Sequence, residues 1–133
     1  MRSTSAERQK KLVLAGYVTQ IVVMLITFGM PLMIIVPLIY LIVIRRFVSI
    51  DWLRRHIHWQ LLTVGIGLAI LLIAAMFLSV GLSEINRQTT LVGIVSQWIA
   101  IGLFIGLPPW LVYRFVRGLI FYGREEGMAR LWP

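Results

Sequence analysis

Between Leu12 and Ile44 the chain runs for 33 residues without a charge, and no other feature limits its possible folds as severely. As one straight helix this run would rise about 50 Å, against roughly 30 Å of bilayer hydrocarbon. A single crossing would need a tilt beyond about 50°, steeper than membrane helices adopt. Near the middle stands Phe28-Gly29-Met30-Pro31, where proline removes a backbone donor and pushes the preceding residue out of helical geometry. Splitting there predicts a short helical hairpin over residues 12–44, fully crossing or re-entrant, with Pro37 kinking its second arm.

Charge placement favours two crossings over one. Arg2, Arg8, Lys10 and Lys11 precede the run, and Arg45, Arg46, Arg54 and Arg55 follow it. The positive-inside bias draws both groups to the cytoplasm, which requires an even number of crossings or a re-entrant loop. A third helix is predicted over residues 57–80, long enough to span. The stretch 81–90 after it carries one basic residue, Arg87, and reads as an external loop. A fourth helix over 91–107 returns to a segment holding Arg114, Arg117, Arg124 and Arg130.

The expected fold is therefore all-α. It is a polytopic integral membrane protein with about four transmembrane or membrane-embedded helices, a basic cytoplasmic tail over 1–11, a cytoplasmic loop over 45–56 and both termini cytoplasmic. The N-terminus superficially resembles a signal peptide, but its apolar stretch is too long for an h-region and cleavage is not expected.

Composition agrees with lipid as the solvent. Hydrophobic residues make up 59% of 133, more than a soluble domain of that length can hide. The net charge of +8 would suit nucleic acid if the basic residues formed a stripe. They flank apolar runs instead, so anionic lipid headgroups are the expected partners, met by Arg45, Arg46, Arg54, Arg55, Arg114 and Arg117, and nucleic acid is not expected. The absence of cysteine excludes disulfides, thiolate metal sites and cysteine nucleophiles.

Pro108-Pro109 is predicted to end the fourth helix. Residues 108–133 then form an interfacial and cytoplasmic segment, amphipathic over its first turns. Val112, Phe115, Val116 and Leu119 share one face and Arg114 and Arg117 another, with Trp110, Tyr113 and Tyr122 as aromatic anchors. A direct continuation of the fourth helix is the alternative.

The densest polar cluster opens the third helix. His56, Gln60 and Thr63 fall on one face at four- and three-residue spacings, while His58 points elsewhere, so the two histidines cannot chelate a metal as a helical pair. Glu7, Asp51, Glu84, Glu125 and Glu126 are expected in loops or tails, which leaves no ligand set for a metal or haem. No cofactor and no catalytic residue is expected. His56, Gln60 and Thr63 are expected to hydrogen-bond to neighbouring helices, at about 0.6–2 kcal/mol each. Gly102 and Gly106 form a GxxxG pattern and Gly65, Gly67 and Ala69 a second small-residue surface. With Phe115 and Leu119, the first pair marks a candidate packing or partner interface.

Trp52, His56, Trp59, Gln60 and Thr63, followed by Tyr113-Arg114-Phe115-Val116-Arg117-Gly118-Leu119, resemble a family of small bacterial membrane proteins of unknown function. That family is distantly similar to the four-helix channel-like component of the chloroplast inner-envelope protein translocon. The resemblance runs from about Ala15 to Gly123 and implies four helices, a cytoplasmic basic face and a bacterial inner-membrane location. This chain departs from it at Arg124-Glu125-Glu126-Gly127-Met128, where relatives tend toward an Asn-Asp-Gly-like turn. The expected function is that of a non-catalytic accessory or scaffold subunit of a larger membrane complex. Its partner would be another integral membrane protein or a second copy. A pore or translocation component is the alternative.

Overall fold

A computed structural model describes residues 2–26, 35–85 and 90–125. Among them are four helices, α1 (Arg2–Ile26), α2 (Ile35–Ile44), α3 (Asp51–Ile85) and α4 (Leu91–Gly123), and no strand. α3 and α4 are long and apolar enough to cross a membrane. The expected break at Phe28-Gly29-Met30-Pro31 lies outside the described residues.

The chain divides into two compact units, residues 1–65 with 113–133, and residues 66–112. In the first, α1 presents Val13, Tyr17 and Gln20 to the interior at four- and three-residue spacings, the repeat that places side chains on one helical face. α2 adds Leu41 and Ile44, and the start of α3 adds Leu53, His56, Ile57, Trp59 and Gln60. In the second unit, α3 and α4 form an antiparallel pair. A Cβ on Gly67 would lie 3.6 Å from Leu111, and one on Gly81 would lie 2.6 Å from the Gln97 side chain and 3.2 Å from the Gly93 carbonyl. Ala74 and Ala100 are fully buried there, the small-residue packing that lets two apolar helices approach closely.

Three boundaries differ from the sequence reading. Residues 2–11, expected as a tail, belong to α1. Their strong helix formers are supported by the exposed Glu7–Lys11 pair at 3.0 Å, in which Lys11 holds the Glu7 carboxyl below its usual range. α3 begins at Asp51 rather than 57 and ends at Ile85 rather than 80. The two N–H groups that lead into it are satisfied from another helix, because Gln9 Oε1 accepts from Ser49 N at 3.0 Å and Ile50 N at 3.3 Å. Asp51 in its first turn also suits the positive end of the dipole.

The third difference is at Pro108-Pro109, which does not end α4; the helix passes through to Gly123. Leu107 and Leu111, 6% and 7% exposed, bury on either side of the dipeptide, so packing holds the helix there. The carbonyls of Phe104 and Ile105 lose their helical donors there. The expected interfacial segment, as far as Gly123, is therefore the second half of α4. Glu7, Asp51 and Glu84 likewise belong to helices and not to loops.

Candidate functional site

Unit one holds a buried polar network built from α1, the start of α3 and the end of α4. His56 is fully buried and its Nδ1 lies 2.9 Å from the Tyr17 hydroxyl. One helical turn further along α3, Gln60 Oε1 accepts from Gln20 Nε2 at 3.1 Å, and Gln60 Nε2 donates to the Val13 carbonyl at 3.4 Å. Both His56 and Gln60 thus reach α1, which gives the buried imidazole and amide the partners that burial requires. Glycine makes the approach possible. A Cβ on Gly16 would sit 2.6 Å from Gln60 Oε1, and one on Gly118 would sit 2.5 Å from the Tyr17 hydroxyl oxygen and 2.8 Å from its Cε1.

The third residue of the face, Thr63, turns toward α4. Its hydroxyl donates to the Trp59 carbonyl at 2.8 Å and accepts from Arg114 Nε at 2.9 Å. Arg114 is 1% exposed, its guanidinium carbon 3.8 Å from the centre of the Trp59 ring. Trp59 Nε1 in turn donates to the Arg114 carbonyl at 3.4 Å. The indole therefore serves the arginine twice, by its face to the cation and by its edge to the backbone, an arrangement contributing about 0.5–2 kcal/mol through the cation–π contact alone. Arg117 approaches the same ring at 5.8 Å and donates to the Tyr113 hydroxyl at 3.1 Å.

Around His56 the rings of Tyr17, Trp52 and Tyr122 pack mostly edge to face at centroid distances of 5.8–6.3 Å, each such pair worth about 0.5–1.5 kcal/mol beyond area burial. Tyr122 donates to the Lys10 carbonyl at 2.9 Å and Tyr40 to the Leu12 carbonyl at 3.0 Å. Lys10 pairs with Glu125. α1 is thereby held over residues 9–13 by side chains or backbone from every other helix of the unit.

The sequence-derived candidates fare differently. His56, Gln60 and Thr63 come together in this network. Arg114 does not face outward with Arg45, Arg46, Arg54 and Arg55, as expected of a headgroup contact; stacking on Trp59 draws it inside. Arg117, at the same ring, is partly covered. Phe115 is 5% exposed and Leu119 is partly covered, so the expected shared face is divided between them and the exposed Val112 and Val116. Gly102 and Gly106 face open space, with nothing within 4 Å of an added Cβ; Trp98 and Ile105 beside them are each 69% exposed.

Tyr17 and Gly16 were not singled out by sequence, Gly118 entered only through the resemblance, and Gln20, a polar side chain in an uncharged run, is the type of signal that marks an interior face. Among the described residues no group of three or more metal-binding side chains occurs. No protein-family model, curated protein or solved structure matches the chain.

Proposed function

We propose that the chain is a multi-pass protein of the bacterial inner membrane, with both termini cytoplasmic, and that it serves as a non-catalytic accessory or scaffold subunit of a larger membrane complex. One observation carries the reading. The polar and aromatic side chains of unit one are spent on tying helices to one another, while the two long helices leave their apolar surface uncovered. In the most apolar stretches of α3 and α4, 22% of residues are buried, whereas the core helix of a soluble protein buries most of its length. Lipid or a partner helix accounts for the remainder, and the Gly102–Gly106 face, flanked by Trp98 and Ile105, is where a partner helix approaches most closely.

Co-purification of the full chain in mild detergent, with identification of bound chains, tests this. A stoichiometric membrane protein should accompany the wild type and be weakened by Gly102→Leu, with insertion unchanged. A lone monomer in native lipid discs that conducts solute in liposomes would replace the subunit reading with the pore reading.

A further inference from the structure

The turn between α2 and α3 gathers exposed charge and exposed aromatic surface on a fixed frame. Arg45 and Arg46, then Arg54 and Arg55 one helical turn into α3, are all exposed, and Phe47 between the two pairs is 66% exposed. The turn is closed by Phe47 N to the Ile44 carbonyl at 2.9 Å and Arg46 N to the Val43 carbonyl at 3.3 Å. Val48, 1% exposed, plugs it from beneath, and Gln9 holds Ser49 and Ile50. Four arginines against Asp51 leave a net of +3 over residues 45–58. Among the described residues the ion pairs fall on Lys10 and Lys11, not on these four.

Layering identifies the partner. Along α2, Ile39, Ile42 and Val43 are each half exposed or more, and this apolar strip leads to Phe47 before the charges begin. Hydrocarbon followed by an anionic layer has that order, with an aromatic ring at the boundary. A soluble polyanion would match the arginines and leave the apolar strip uncovered.

We propose that the α2–α3 turn is a docking site for anionic phospholipid headgroups, in which Arg45, Arg46, Arg54 and Arg55 meet the phosphates and Phe47 enters the acyl boundary. The site rests on the membrane reading above. It excludes Arg114, which is engaged inside the bundle.

Native mass spectrometry of the detergent-purified full chain, titrated with phosphatidylglycerol or with phosphatidylcholine of the same acyl chains, tests it. The wild type should bind phosphatidylglycerol more tightly. That preference should fall about fivefold for each arginine replaced by glutamine, the fold-change equivalent to roughly 1 kcal/mol per basic residue, and should disappear in R45Q/R46Q/R54Q/R55Q. Phe47→Ser should weaken both lipids and leave their ratio unchanged. All four arginines are exposed, so thermal unfolding of the variants in detergent should match the wild type.

Equal affinity for the two lipids, or a preference that survives the fourfold substitution, overturns the site. So does a DNA oligonucleotide that binds more tightly than phosphatidylglycerol and displaces it. Flotation with vesicles after carbonate washing separates the two failures. A chain that floats without lipid preference loses only this site, and one that fails to float loses the membrane reading with it.

Discussion

At the residue scale, two glycines of unit one do different work from the GxxxG pair. Gly118 lies under the Tyr17 ring so closely that a methyl group would meet three of its atoms within 3 Å. Because the ring is held between His56 and Tyr122, it cannot yield, and Gly118→Ala should destabilise by about 1–3 kcal/mol, the usual cost of overpacking. Gly102→Ala meets nothing and should be neutral or slightly stabilising through helix propensity. Thermal unfolding in detergent distinguishes them, and equal effects would refute the assignment of Gly118. Tyr17 and His56 form a buried pair, so Tyr17→Phe and His56→Ala should each cost about 1–3 kcal/mol through loss of that hydrogen bond. Their double-mutant cycle should show coupling above about 0.5 kcal/mol, and additivity would mean the bond contributes nothing. Spacing alone put His56, Gln60 and Thr63 on one face of a helix. Their partners stand 39, 40 and 51 positions away, and no local period encodes which helices meet.

At the scale of elements, the sequence was most legible where apolar content is continuous and least legible where tertiary contacts set an end. Residues 51–56 look like loop because four of the six are polar, yet Gln9 of α1 accepts from the two amides that lead into α3. Replacing Gln9 with alanine should cost about 1 kcal/mol, as loss of a cap does, and should speed amide exchange at Ser49 and Ile50. Unchanged exchange at these two amides would show that water serves equally well. Pro108-Pro109 misled for the opposite reason. A rule about isolated helices predicts a break, while Leu107 and Leu111 bury on both sides and the helix continues. Since the helix already passes through, P108A/P109A should restore donors to the Phe104 and Ile105 carbonyls and raise the unfolding temperature. A fall in stability would mean that the prolines shape a bend the fold requires.

At the scale of the whole molecule, contacts inside unit one bear on how the chain would cross a bilayer under the proposed membrane reading. Gln9 bonds Ser49 in the α2–α3 turn, Tyr122 near the end of α4 donates to the Lys10 carbonyl, and Lys10 pairs with Glu125. Groups in hydrogen-bond contact cannot lie on opposite sides of roughly 30 Å of hydrocarbon. The start of α1, the α2–α3 turn and the end of α4 therefore share a side. In the proposed membrane topology the chain then crosses an even number of times between Lys10 and Ser49, and again between Ser49 and Tyr122. Arginine and lysine crowd these three regions, so the proposed topology assigns their common side to the cytoplasm. Ser83, exposed near the end of α3, is then the position to find outside. The absence of native cysteine makes the test direct: Ser5→Cys, Ser49→Cys, Ser83→Cys and Gly123→Cys are introduced singly and treated on intact cells with a membrane-impermeant thiol reagent. Labelling should occur at position 83 alone, and the other three should react after permeabilisation. Outside labelling at position 49 with position 5 protected would require one crossing between them, which the Gln9–Ser49 bond forbids, and would overturn the packing of α1 against the α2–α3 turn together with the topology.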